Sequence, residues 1–155
     1  MTHDPQDAPI SESLRAVLFF GVPSEGMKTA SFRAMMSEEG NKNLLDNLQE
    51  PTPPFLHQVN EGFSRAIRNL PGFTAFNFYE TRPSPTPIQG AISKVTKNFW
   101  KMVGPSELLV SKFSATQGKP QNELPQHRII PINRTHSELV KFSGQNDDTY
   151  RIVVK

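Results

Sequence analysis

A histidine at the tip of a polar turn, directly after an apolar strand, is a common way of presenting a catalytic imidazole. Arg128-Ile129-Ile130-Pro131-Ile132-Asn133-Arg134-Thr135-His136-Ser137 has that form. The strand fixes the backbone, the turn lifts the ring of His136 past the sheet edge, and a carboxylate from a neighbouring strand end can hold its tautomer. Phe76-Asn77-Phe78-Tyr79-Glu80 offers such a carboxylate, Glu80, again where a strand should end. Acid and base of this kind serve a nucleophile, and its signature is missing: no Gly-x-Ser-x-Gly stretch occurs in the 155 residues.

Other residues compete for these roles. Glu138, Asp147 and Asp148 are rival carboxylates for His136. Gly21-Val22-Pro23-Ser24-Glu25-Gly26 imitates a nucleophile elbow, but its Gly-x-x-Ser-x-Gly spacing is one residue too long. Pro23 also restricts the residue before it, where a strained turn needs freedom. Ser24 and Gly26 suit helix initiation better. Ser114-Ala115-Thr116 has the character of a packing and turn motif. His3, His57 and His127 form no metal-spaced set with nearby carboxylates, so neither a metal nor a cofactor is expected.

The elements that must position this pair follow from hydrophobic pattern and punctuation. Residues 14–21 form an unbroken apolar run, which predicts an inner strand of a parallel sheet covered on both faces. Helices are expected over residues 28–38, with Gly40 as the stop, over 43–48, and from the Pro53-Pro54 pair to about 70. In the last of these, Phe55, Leu56, Val59, Phe63, Ala66, Ile67 and Leu70 recur at helical spacing. A second strand over residues 73–80 completes a βαβ crossover and hence a parallel pair. Residues 81–90, with Pro83, Pro85 and Pro87, read as a stiff connector, and residues 91–104 as a short helix or a covering loop. Residues 107–113 and 127–132 are expected strands, with a short helix over 137–142 behind His136. No internal repeat is visible.

The bulk composition bounds the rest. One domain with its own core fits this length, preceded by a disordered tail over residues 1–13. A net charge of +2, with Lys and Arg scattered, is too mild to point to nucleic acid. Absence of cysteine excludes a disulfide framework and any thiolate site, and fits a reducing, intracellular compartment such as the cytoplasm. The polar N-terminus lacks the pattern of a secretory signal. The densest apolar run, Ala16-Val17-Leu18-Phe19-Phe20, is far short of the roughly 20 residues of a membrane span, so no transmembrane segment is expected.

Four blocks in order carry a more specific resemblance. They are Leu14-Arg15-Ala16-Val17-Leu18-Phe19-Phe20-Gly21-Val22-Pro23-Ser24-Glu25-Gly26-Met27; Phe78-Tyr79-Glu80-Thr81 with the Ser84-Pro85-Thr86 that follows; Gly104-Pro105 leading to Leu109-Val110 and Ser114-Ala115-Thr116; and Ile130-Pro131-Ile132-Asn133-Arg134-x-His136-Ser137. Together they resemble the C-terminal half of fungal serine-esterase and lipase-like α/β-hydrolase domains, over nearly all the chain from Leu14. Such domains often precede NB-ARC or NACHT ATPase modules and ankyrin or tetratricopeptide repeats. They are related to lipase-like serine-active-site proteins of mitochondrion and endoplasmic reticulum.

The resemblance implies a partial α/β-hydrolase fold over residues 14–155, with a mostly parallel sheet of about four strands and flanking helices. It implies Glu80 as triad acid and His136 as triad base. The family's nucleophile lies in a Gly-His-Ser-Leu-Gly-Gly elbow before the strand matched by residues 16–21, so this stretch is expected to lie downstream of it and to be inert alone. Where many relatives have an acidic residue before the histidine, this chain has Thr135. The implied activity of an intact parent is hydrolysis of carboxylic esters, including those of lipids. The competing expectation is a non-enzymatic interaction or regulatory module of an NB-ARC or NACHT-type protein, binding a protein partner through an exposed sheet edge.

Overall fold

Five consecutive apolar side chains extend as β1 (Ala16–Phe20), which pairs in parallel with β2 (Thr74–Glu80) in the register Ala16 to Thr74 through Phe20 to Phe78. On its other side β2 pairs in parallel with β5 (His127–Ile132), bringing Glu80 opposite Ile132. This computed structural model describes residues 13–35, 39–68, 70–89, 100–118 and 127–154. The sheet order is β1-β2-β5, and all three C-terminal ends lie along one rim. The class is α/β, as expected, with three parallel strands in this sheet and a separate antiparallel pair.

Between β1 and β2 the chain forms α1 (Ala30–Arg33), α2 (Glu39–Asp46) and α3 (Pro54–Ile67). Pro54 opens α3 at a position where its missing N–H costs nothing. Phe63 and Ile67 of α3 pack with Val17, Phe19, Phe73 and Ala75 on one face of the sheet. On the opposite face Phe78, Ile132 and Leu139 are buried with Phe20, Phe76, Ile130 and Val153. The Phe20 and Phe78 rings stack at 4.5 Å. Val153 belongs to α5 (Asp148–Val153), the last helix, whose Tyr150 meets Phe142 edge-on.

Several expectations need correction. β1 is an edge strand rather than an inner one: among the described residues only β2 pairs with it, and Ala16 and Leu18 are exposed. An apolar run signals burial without saying which element supplies it. The anticipated connector over 81–90 contains β3 (Ser84–Gln89), antiparallel to β4 (Trp100–Glu107). Proline removes a ladder donor, yet an edge strand accommodates it, and the register shifts between Pro85 and Pro87. Gly104 fits that irregularity because a Cβ there would lie 2.6 Å from Thr86 Oγ1.

The strand expected over 107–113 ends instead at Glu107, and the chain turns into α4 (Lys112–Ala115). Ser111 caps it, its hydroxyl accepting from the Ser114 N–H. Behind His136 the predicted helix shrinks to a 3₁₀ turn, His136–Glu138. The helix expected over 28–38 is observed as α1 alone, its expected last residues falling outside the described set. The expected tail, save Ser13, and residues 91–99 of the helix-or-loop segment also lie outside it. No helix among the described residues is long and apolar enough to cross a membrane.

Candidate active site

Glu80 closes β2 and His136 begins the turn four residues after β5, so adjacent parallel strands deliver both to the same rim. Glu80 Oε2 lies 2.9 Å from His136 Nδ1. Among the described residues neither atom makes a hydrogen bond, so the two lie close without being aligned for one. At that separation a reorientation of the ring would make the bond. The Glu80 side chain is fully buried, whereas His136 keeps 29% of its side-chain surface open. Burying a carboxylate demands fixed partners, and Glu80 has them. Its Oε1 accepts from the Leu109 N–H at 2.6 Å and the Val110 N–H at 3.0 Å. Those two amides are unavailable to a sheet ladder, which is why the Leu-Leu-Val run does not continue β4.

The histidine is held from three sides. Its backbone N–H donates to Ser84 Oγ at 3.2 Å. Thr135 and Glu138 bracket it: the Thr135 hydroxyl donates to Glu138 Oε2 at 2.8 Å, and the Thr135 N–H to the same oxygen at 3.3 Å. The Thr135 hydroxyl and then its N–H keep the Glu138 carboxyl below its ordinary range, with Arg82 and Arg134 adding to the effect. Beneath the ring passes Gly21, at the end of β1. It has φ +58°, and a Cβ there would lie 3.0 Å from His136 Cε1 and Nδ1 and 2.7 Å from Leu139 Cδ1. Only glycine allows this approach without strain.

Of the rival carboxylates, Glu138 is engaged with Thr135, and Asp147 with Arg134 at 2.6 Å. Asp148, in the first turn of α5, is exposed. The Asp147 carboxyl is held far below the usual range, first by the Ser143 N–H, then by the Arg134 guanidinium, with the Tyr150 N–H and Ser143 hydroxyl contributing. Ser24 sits in the turn after β1, its carbonyl accepting from Asn60 Nδ2, and its hydroxyl makes no hydrogen bond to His136 among the described residues. Ser114 of the Ser-Ala-Thr stretch is a clamp: its buried hydroxyl accepts from the Glu25 N–H at 3.0 Å and donates to the Gly26 carbonyl at 2.6 Å. Among the described residues no three His, Asp or Glu side chains gather as a metal-ligand set.

Sequence reasoning identified Glu80 and His136 as the pair to examine, and the fold brings them together. It did not find the supporting groups: the Leu109 and Val110 amides, Gly21, and the Arg134–Asp147 pair. Backbone amides have no sequence signature, but Gly21 at a strand end and Asp147 before α5 are visible punctuation. Comparison with protein-family models, curated proteins and solved structures returns no match to this chain.

Proposed function

We propose that this chain is the acid–base half of a serine-esterase or lipase-like α/β-hydrolase domain, the nucleophile being supplied by a further strand beside β1. The observation that carries this reading is the buried Glu80 carboxylate, fixed by two backbone amides and 2.9 Å from the partly open His136 ring. With Nδ1 facing Glu80, Nε2 is the atom left to exchange protons. It takes the proton of an attacking hydroxyl as the acyl bond forms and returns it to the leaving alkoxide, while Glu80 stabilises the imidazolium between the two steps.

The open edge of β1 supports the same reading. The Thr74 N–H donates to the Arg15 carbonyl and the Gly21 N–H to the Phe78 carbonyl. Odd-numbered residues of β1 therefore bond inward in this parallel ladder, and the N–H and C=O groups of Ala16, Leu18 and Phe20 face outward. A parallel strand added there would end beside Gly21, hence beside the imidazole.

In a longer protein that carries such a strand, His136→Ala should abolish p-nitrophenyl ester turnover. Glu80→Gln should lower it on the order of 10⁴-fold. Turnover that survives His136→Ala rejects His136 as the base. The 155-residue chain alone should not be labelled by a fluorophosphonate probe, and stoichiometric labelling would place a competent serine within it. The second reading, a non-enzymatic interaction module, is favoured by the same apolar edge of β1, unpaired among the described residues. Size-exclusion chromatography with light scattering separates it out: a cooperatively melting monomer argues against an edge that demands a partner.

A further inference from the structure

We infer that the Arg134–Asp147 ion pair is a positioning device that orients the His136 imidazole and thereby selects its tautomer. Arg134 lies two residues before His136. Its Nη2 donates to Asp147 Oδ2 at 2.6 Å, and its Nη1 donates to the carbonyls of Glu138, at 3.4 Å, and Lys141. One guanidinium thus ties the start of the turn to its end, with His136 held between. A planar fork can serve a carboxylate and two carbonyls at once; a lysine ammonium on a flexible stem cannot do so in the same geometry.

Asp147 is itself anchored. Its Oδ2 also accepts from the Ser143 N–H at 2.9 Å and the Ser143 hydroxyl at 3.0 Å. Its Oδ1 accepts from the Thr149 and Tyr150 N–H groups and so caps α5. That helix reaches the core through Val153, which packs against the cluster of Phe78, Ile132 and Leu139. Position is therefore relayed from the sheet core through α5 to Asp147, to Arg134, and to the turn. Exposed ion pairs contribute little, but here the Asp147 side chain is only 3% exposed and the pair spans the histidine. Which imidazole nitrogen carries the proton follows the hydrogen bond made by the other side of the ring. Here that bond can form only while the turn keeps Nδ1 beside Glu80 Oε2.

The inference depends on the Glu80–His136 geometry and not on ester hydrolysis, so the two can fail separately. The test is the long-range ¹H–¹⁵N spectrum of the His136 ring in the labelled full chain, recorded above the histidine titration, alongside a thermal melt. The wild-type chain should show a protonated Nδ1 and a bare Nε2. Arg134→Gln and Asp147→Asn should each lose that signature, and Arg134→Lys should restore it only in part. Should Arg134→Gln unfold, Asp147→Asn decides, since its carboxamide keeps the shape. A folded variant that retains protonated Nδ1 overturns the inference, as does a wild-type ring protonated at Nε2. A confirmed tautomer with parent turnover indifferent to His136 would leave the positioning intact and remove the hydrolase reading.

Discussion

β1 and β2 are neighbours in one sheet, yet they are matched to different surroundings. β2, Thr-Ala-Phe-Asn-Phe-Tyr-Glu, carries the polar residues Thr74, Asn77, Tyr79 and Glu80, and it buries Ala75, Asn77, Phe78 and Glu80. β1, Ala-Val-Leu-Phe-Phe, is wholly apolar and buries none of its five residues fully. The more hydrophobic strand is the more exposed one. α3 repeats the pattern: its inner side reaches the core through Phe63 and Ile67, while Phe55 and Val59 stand half in solvent. β1 therefore has the composition of an interior strand in an edge position, the arrangement that invites a covering strand.

That contrast can be tested by substitution. The largest effect should come from Phe78→Ala, which empties a site 1% exposed and stacked on Phe20 and should cost about 3–5 kcal/mol in urea unfolding. Leu18→Ala, on the open strand, should cost far less, because 43% of Leu18 already meets water. Equal losses would mean that β1 is covered in solution. Gly21→Ala comes next: the left-handed φ and the crowding against Leu139 and His136 should cost about 1–3 kcal/mol and displace the ring, read in the same melts and in the histidine resonances.

The smallest effect should be an acid limb confined to the histidine turn. Asp147 and Glu138 both titrate below their ordinary values of 3.8 and 4.5. A depressed folded-state value means that the unfolded chain binds protons first. The stabilisation is therefore complete above those ordinary values and is lost as pH falls below them towards the folded-state values. Asp147→Asn should flatten that limb in melts across the acid range and lower stability near neutral pH, where the contribution of the carboxylate and its Arg134 pair is complete.

Much of this arrangement was legible from sequence, for physical reasons. Periodicity and punctuation specify α3, β2 and β5, and two strand ends in parallel register necessarily share a rim, so Glu80 and His136 could be paired in advance. What escaped was settled by tertiary contacts. Pro85 and Pro87 argue locally against a strand, but among the described residues β3 pairs with β4 alone and tolerates them. Glu107 to Phe113 has strand-like composition, but two of its amides are taken by Glu80. The edge position of β1 could not be read from β1, because an apolar run reports a demand for cover and not its source.

The double duty of Glu80 has one further consequence. One oxygen is claimed by the loop that returns from the β3–β4 hairpin, and the other reaches for the imidazole. The side chain is thus a strut of set length between two clients, and aspartate, a methylene shorter, would have to abandon one of them. Any tilt of the hairpin base would be felt at the Glu80–His136 pair through the Glu80 side chain itself.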